Sequence, residues 1–147
     1  MVKSDETLRR ALIEKIRQQG EPDPMQQRRG PLVSLEDFFT GNQDLGSIGC
    51  NLFVHPGIAT FYKVLREIRD RPEVQDVLIE ITDLEETEGV WPFSDSVYIL
   101  TSASPRKVAR WLRRLRPDEA REVAAEWLPT RLPDLLPDHV VLLAWWD

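Results

Sequence analysis

Cys50 and His55 are two residues of this 147-residue chain whose types and spacing could support catalysis. An imidazolium lowers the pKa of a nearby thiol, so the two side chains could form a reactive thiolate pair. No papain-type signature surrounds Cys50, and a buried structural cysteine is the alternative. Both residues are therefore weak catalytic candidates.

Asp95 is the third weak catalytic candidate, and it stands between two serines in the segment Trp-Pro-Phe-Ser-Asp-Ser. A serine hydroxyl needs a base to take its proton, and no histidine lies near this segment in the sequence. The alternative is structural, with Asp95 or Ser94 capping backbone N–H groups while two aromatic rings anchor the loop. The predicted binding residues are Trp91, Phe93, Ser94, Asp95 and Trp145.

Other polar segments do not match a known metal or cofactor motif. The acidic loop that contains Asp83, Glu85, Glu86 and Glu88 lacks the ligand spacing and turn glycine of an EF-hand. The glycines at positions 41, 46 and 49 lack the lysine and hydroxyl residue of a phosphate-binding loop. We therefore predict neither a metal nor a cofactor.

Charge is distributed unevenly along the chain. Residues 105–116 carry six basic side chains and no acidic one, although the net charge is −6. This basic helix could meet an acidic partner, pair with the acidic loop, or be a solvated face. The overall charge argues against nucleic acid and favours a protein partner that is basic.

A single cysteine excludes an internal disulfide and suits a reducing compartment. The charged N-terminus lacks the apolar region of a signal peptide, and no apolar run approaches the ~20 residues that span a bilayer. We expect a cytoplasmic protein that does not bind membranes.

Hydrophobic periodicity predicts the elements that must position these residues. A helix is expected over residues 5–19, with Ser4 as its N-cap, followed by a linker over 20–31. Residues 34–40 form a short helix, or residues 32–39 a strand. Further strands are predicted at 48–54, 77–82, 96–102 and 139–146, with helices from Pro56, Pro105 and Pro117.

From residue 47 the predicted order is β-α-β-β-α-β, which indicates an α+β fold of the ferredoxin-like sandwich type with an N-terminal helical extension. We expect one domain overall, with residues 1–46 packing on a core at 47–147. The last strand is apolar on both faces, yet it would be an edge strand with Trp145 exposed. Either the N-terminal segment or a second subunit would cover that face.

Three segments resemble those of a group of small uncharacterised bacterial proteins. They are Ser-Leu-Glu-Asp-Phe-Phe from Ser34, Gly-Ser-Ile-Gly-Cys-Asn-Leu from Gly46 and Trp-Pro-Phe-Ser-Asp-Ser-Val-Tyr from Trp91. The resemblance covers most of residues 31–147 and implies no catalytic residues. In size and acidity the chain is also similar to bacterial immunity proteins.

The leading functional prediction is a non-catalytic binding protein, with an immunity-type inhibitor of a basic protein toxin as one version. The first alternative is a small enzyme that uses Asp95, Cys50 or His55 in one concave pocket. The second alternative is a ligand-sensing or assembly subunit, including a homodimer, that uses the open sheet face. The chain offers aromatic residues of the kind that anchor interfaces.

Overall fold

The computed structural model of the protein describes residues 2–22 and 30–147, within which it has four α-helices and five β-strands. The helices are α1 (Glu6–Gln19), α2 (Leu35–Phe39), α3 (Ile58–Arg69) and α4 (Pro105–Trp111). The strands are β1 (Leu32–Ser34), β2 (Val74–Glu80), β3 (Ser96–Thr101), β4 (Glu119–Glu122) and β5 (Val140–Trp145). Short 3₁₀ helices cover Leu45–Ser47, Arg113–Leu115 and Ala125–Trp127.

The helix ends follow ordinary capping chemistry. Asp5, rather than the predicted Ser4, caps α1 by accepting a hydrogen bond from the Leu8 N–H. Ser104 accepts from the Lys107 N–H and Pro105 takes the first turn of α4, as predicted. None of the helices in the described ranges is long and apolar enough to cross a membrane.

The five strands form one antiparallel sheet in the order β1-β2-β3-β5-β4. Leu78 of β2 lies opposite Tyr98 of β3, which lies opposite Leu143 of β5. The prediction that the last strand is an edge strand is wrong, because β5 lies between β3 and β4. This interior position explains why β5 is apolar on both faces.

One face of the sheet carries the main core, to which all four helices contribute. Leu12 and Ile16 of α1 are buried with Phe61 of α3, Ile79 of β2 and Ile99 of β3. Helix α1 therefore packs on this face.

The opposite face is covered in part by the connection between β4 and β5. Val123 packs with Leu100 and Val141 of the sheet, and Leu128 and Leu132 pack against the same cluster. Neither the N-terminal helix nor a second copy is needed to cover this part of the sheet. The homodimer stays a prediction.

The predicted α+β class and N-terminal helix are confirmed, but the strand arrangement differs from that of a ferredoxin-like sandwich. That sandwich is built from two right-handed βαβ units with parallel strands. Here β1 pairs antiparallel with β2, and an extra strand, β4, precedes β5. The first strand is at residues 32–34 and is followed at once by α2, so the two alternatives for residues 32–40 were each partly correct.

Two predicted elements are wrong. Residues 48–54 form turns rather than a strand, because Gly49 adopts φ +64° and its carbonyl accepts from the Leu52 N–H. The helix expected from Pro117 is replaced by β4, whose pairing with β5 outweighs helix propensity. Arg116 is left-handed at φ +49°, which ends the preceding 3₁₀ turn.

Candidate functional site

Asp95 and its neighbouring serines form a turn that leads into β3. The Ser94 hydroxyl donates to the Ser96 carbonyl at 3.1 Å and accepts from the Ser96 N–H at 3.2 Å. The Ser96 hydroxyl donates to Asp95 Oδ1 at 2.8 Å, and the Asp95 carbonyl accepts from the Trp146 N–H at 3.0 Å. These polar groups therefore stabilise the turn, as in the structural alternative.

The aromatic residues of the same segment anchor it. Trp91 is 1% exposed, and its backbone N–H donates to Asp44 Oδ2 at 3.1 Å. Phe93 pairs with Asp83 through its backbone in an isolated bridge. In this conformation Trp91 offers almost no surface to a partner, whereas Trp145 is half-buried and lies opposite Ser96 in the sheet.

Both ring nitrogens of His55 are engaged by the backbone. Nδ1 accepts from the Gly57 N–H at 2.9 Å, so Nε2 carries the proton and donates to the Ile48 carbonyl at 2.7 Å. Cys50 is exposed, and no hydrogen bond joins it to His55 or to Asp95 within the described residues. The structure brings these three catalytic candidates into no common hydrogen-bonded set.

The side chains of the acidic loop make local contacts instead of gathering into a metal site. Glu86 pairs with Arg17 of α1, and Glu85 accepts from the Thr87 hydroxyl at 3.3 Å. In residues 2–22 and 30–147, no three histidine, cysteine, aspartate or glutamate side chains converge to hold a metal ion. Among the described residues, no ion pair or hydrogen bond joins this loop to the basic helix. The predicted pairing of the two therefore gains no support.

Residues 50–54 form a protruding segment, called here the 50–54 loop. Phe53 and Val54 are exposed, and the Phe53 side chain is fully accessible to solvent. The base of the loop is fixed by His55 on one side and by Asn51, whose amide donates to Asp118 Oδ2 at 2.9 Å, on the other. An exposed aromatic side chain is thus presented on an anchored backbone.

A buried carboxyl group lies on the second face of the sheet. Glu80 is 3% exposed, and its Oε1 accepts from the Tyr98 hydroxyl at 3.3 Å. Oε2 has no hydrogen-bond partner in the described part of the chain. Burial raises the pKa of Glu80 to about 7, and the charge of Asp95 adds to the rise. Burial, together with the Glu80 charge, also raises the pKa of Tyr98.

The space beside Glu80 is tight on the side of Gly30. A Cβ at residue 30 would lie 2.8 Å from Glu80 Oε2, so a larger residue there would have to displace the carboxyl. The Gly30 backbone lies close enough to this carboxyl to oppose the rise in the Glu80 pKa. This carboxyl is therefore enclosed within the fold.

A basic groove lies between the end of α4 and β4. Its volume is about 500 Å³, and its lining includes Arg106, Arg110, Arg113, Arg116, Pro117 and Ala120. No acidic residue within the described ranges lines it. The groove is therefore an open, positively charged surface on a protein whose net charge is −6.

Comparison with known proteins places the chain in a family. Residues 7–143 match the model of the Uncharacterized protein YfbO family. The chain belongs to this family. It is similar to the Uncharacterized protein YfbO of Escherichia coli (strain K12), at 37% identity over 118 residues that cover 80% of this chain and 83% of that protein. No solved structure matches it.

Membership of the YfbO family confirms the expected small bacterial group, while the specific segments and the immunity-type likeness stay predictions. Sequence reasoning missed the exposed Phe53 because it assigned residues 48–54 to a strand. The sequence also gives no sign that Glu80 is buried, because Glu80 alternates with the apolar Ile79 and Ile81. The basic residues of 105–116 are evident in the sequence, and the i, i+4, i+7 spacing of Arg106, Arg110 and Arg113 is the signal that points to the groove.

Proposed function

We propose that this YfbO-family protein is a non-catalytic binding protein whose contact surface is the 50–54 loop. The carrying observation is the fully exposed Phe53 on a loop anchored at both ends. The partner is a second protein with an apolar pocket that accepts the Phe53 ring. Aromatic anchors of this kind carry much of the binding free energy at protein interfaces.

The anchoring of the loop supports this role. A loop that is already ordered loses less conformational entropy when it binds. The His55 ring bridges the Ile48 carbonyl and the Gly57 N–H, and it contacts the Phe61 ring at a centroid distance of 5.2 Å. The histidine that was a catalytic candidate thus serves here to hold the binding loop.

The enzyme alternative receives less support. Its three candidates each have a local structural setting: His55 bonds the backbone, Asp95 accepts from Ser96, and Cys50 lies exposed in the loop. The finer version, an immunity-type inhibitor of a basic toxin, rests on the net charge of −6. It predicts binding to a basic protein that weakens as salt concentration rises.

The test is quantitative affinity capture with three baits: the wild-type protein, Phe53→Ser and Leu136→Ser. Leu136 is an exposed apolar residue elsewhere in the chain and provides the matched control. Both variants should keep the wild-type stability within about 0.5 kcal/mol, because exposed side chains contribute little to folding. We expect a specific protein to be retained by the wild type and by Leu136→Ser, and lost with Phe53→Ser.

Crosslinking and size measurements complete the test. A photo-reactive phenylalanine analogue at position 53 should crosslink to the same captured protein. Light scattering across a concentration series identifies self-association, and a dimer that Phe53→Ser abolishes makes the partner a second copy. Identical captured sets for all three baits, with a monomer throughout, would contradict the proposal.

A further inference from the structure

The positions of the arginines in the basic groove follow from their spacing in the sequence. Arg106, Arg110 and Arg113 recur at i, i+4 and i+7, so one side of α4 and the turn after it presents all three. Arg116, which is left-handed at φ +49° and ends the 3₁₀ turn, also lines the groove. Four arginines therefore line one open groove of about 500 Å³.

These four arginines are not neutralised by the described part of the protein. None of them forms a side-chain ion pair or hydrogen bond with residues 2–22 or 30–147, whereas Lys107 on the same helix pairs with Glu73 at 2.7 Å. The nearest acidic residues in sequence have other partners. Asp118 Oδ2 accepts from Asn51 and from the Asp147 N–H, and Glu119 pairs with Arg121 at 2.9 Å.

Like charges held in one groove repel each other, and a bound counter-anion removes this cost. Arginine is the side chain best suited to such an anion, because its planar fork donates two parallel hydrogen bonds to a phosphate or carboxylate. We propose that this groove binds a compact polyphosphate, such as inorganic tripolyphosphate or the phosphate chain of a nucleotide.

Two observations favour a compact polyphosphate over other anions. A single carboxylate carries one negative charge and would leave most of the groove charge unbalanced, whereas a polyphosphate carries several. A volume of about 500 Å³ falls within the range of small-molecule sites. Extended nucleic acid is disfavoured, because the rest of this protein is acidic and would repel the continuing phosphate backbone.

The experiment titrates inorganic tripolyphosphate into the full-length protein by calorimetry in low-salt, metal-free buffer. Arg110→Ala and Arg113→Ala remove groove residues. Arg114→Ala is the matched control, because Arg114 is exposed in the same 3₁₀ turn and does not line the groove. We expect each groove variant to weaken tripolyphosphate binding about tenfold, because the loss of one charge-assisted hydrogen bond changes the affinity by about that factor. The control variant should weaken binding less than about twofold.

Citrate, which carries three carboxylates, tests whether phosphate geometry matters beyond charge. We expect citrate to bind at least about tenfold more weakly than tripolyphosphate. The inference is overturned by undetectable tripolyphosphate binding at millimolar concentration, by equal losses in Arg110→Ala and Arg114→Ala, or by equal affinity for citrate. Phe53→Ser should leave tripolyphosphate binding unchanged, so this result is independent of the proposed function.

Discussion

The buried Glu80 predicts that the folded protein loses stability as pH rises from about 4.5 to about 7. The carboxyl has a reference pKa of 4.5, and burial raises it to about 7 in the folded state. The folded state therefore holds a proton that the unfolded chain releases. The stabilisation is complete below pH 4.5 and is lost as pH rises through the folded-state pKa.

The size of this effect follows from the shift. A rise from 4.5 to about 7 corresponds to about 3 kcal/mol, at about 1.4 kcal/mol for each pKa unit. The 3% exposure of Glu80, together with the lack of a hydrogen-bond partner for Oε2 among the described residues, accounts for the direction of the shift, because a buried charge with few hydrogen bonds is costly. Such a loss is a large part of the free energy of unfolding of an ordinary domain.

Glu80→Gln isolates this contribution. Glutamine keeps an acceptor for the Tyr98 hydroxyl but cannot ionise. We expect the variant to match the wild type within about 1 kcal/mol at pH 4 and to exceed it by about 3 kcal/mol at pH 8. Urea unfolding at half-unit steps from pH 4 to pH 8.5 measures both profiles, and their difference cancels the titration of every other group.

Glu36 provides a control with the opposite sign. Its hydrogen bond to Arg69, at 2.6 Å, lowers the pKa of the Glu36 carboxyl, so that its stabilisation is lost as pH falls. Glu36→Gln should keep the wild-type decline above pH 5. Parallel profiles for wild type and Glu80→Gln across pH 5–8 would refute the assignment of a buried, protonated Glu80.

Two further predictions concern the packing that supports the 50–54 loop and the last strand. Gly49→Ala should destabilise the fold by about 2 kcal/mol, because residue 49 has φ +64° and the new Cβ would lie 2.7 Å from the Phe61 ring. Gly89→Ala, at φ +84° with open space around it, should cost only about 1 kcal/mol. Equal losses of stability in thermal unfolding would contradict the clash with Phe61. Trp146→Phe should cost about 2 kcal/mol in urea unfolding, because it removes the 2.8 Å hydrogen bond from Nε1 to the buried Leu115 carbonyl, and a loss below 0.5 kcal/mol would contradict a role for that bond.

The sequence predicted those elements whose own periodicity determines them. Helix α3 repeats apolar residues at helical spacing and is confirmed at Ile58–Arg69, and the apolar runs at β3 and β5 are confirmed as strands. The predicted strand at 48–54 is wrong because a left-handed glycine and the Phe61 ring determine the backbone there, which is a tertiary effect. The predicted helix from Pro117 is wrong because residues 119–122 pair as a strand with β5.

The candidate sites were harder to predict for a related reason. Residue types identified Cys50, His55 and Asp95, but type alone does not reveal that the His55 ring is held by two backbone groups. Glu80 occupies a position of β2 that alternates with apolar residues, as an exposed polar residue would. It is buried only because other parts of the chain cover the second face of the sheet. Burial of a polar strand position is set by distant residues.

Net charge is a poor guide to the partner of this protein. The net charge of −6 favours a basic partner for the molecule as a whole. Yet one groove is lined by four arginines that form no ion pair with the described residues. At physiological ionic strength the screening length is about 8 Å, so a ligand in the groove responds to the nearby arginines more than to distant carboxylates. A basic protein and a polyphosphate are therefore compatible ligands of one chain, provided that they bind at separate surfaces.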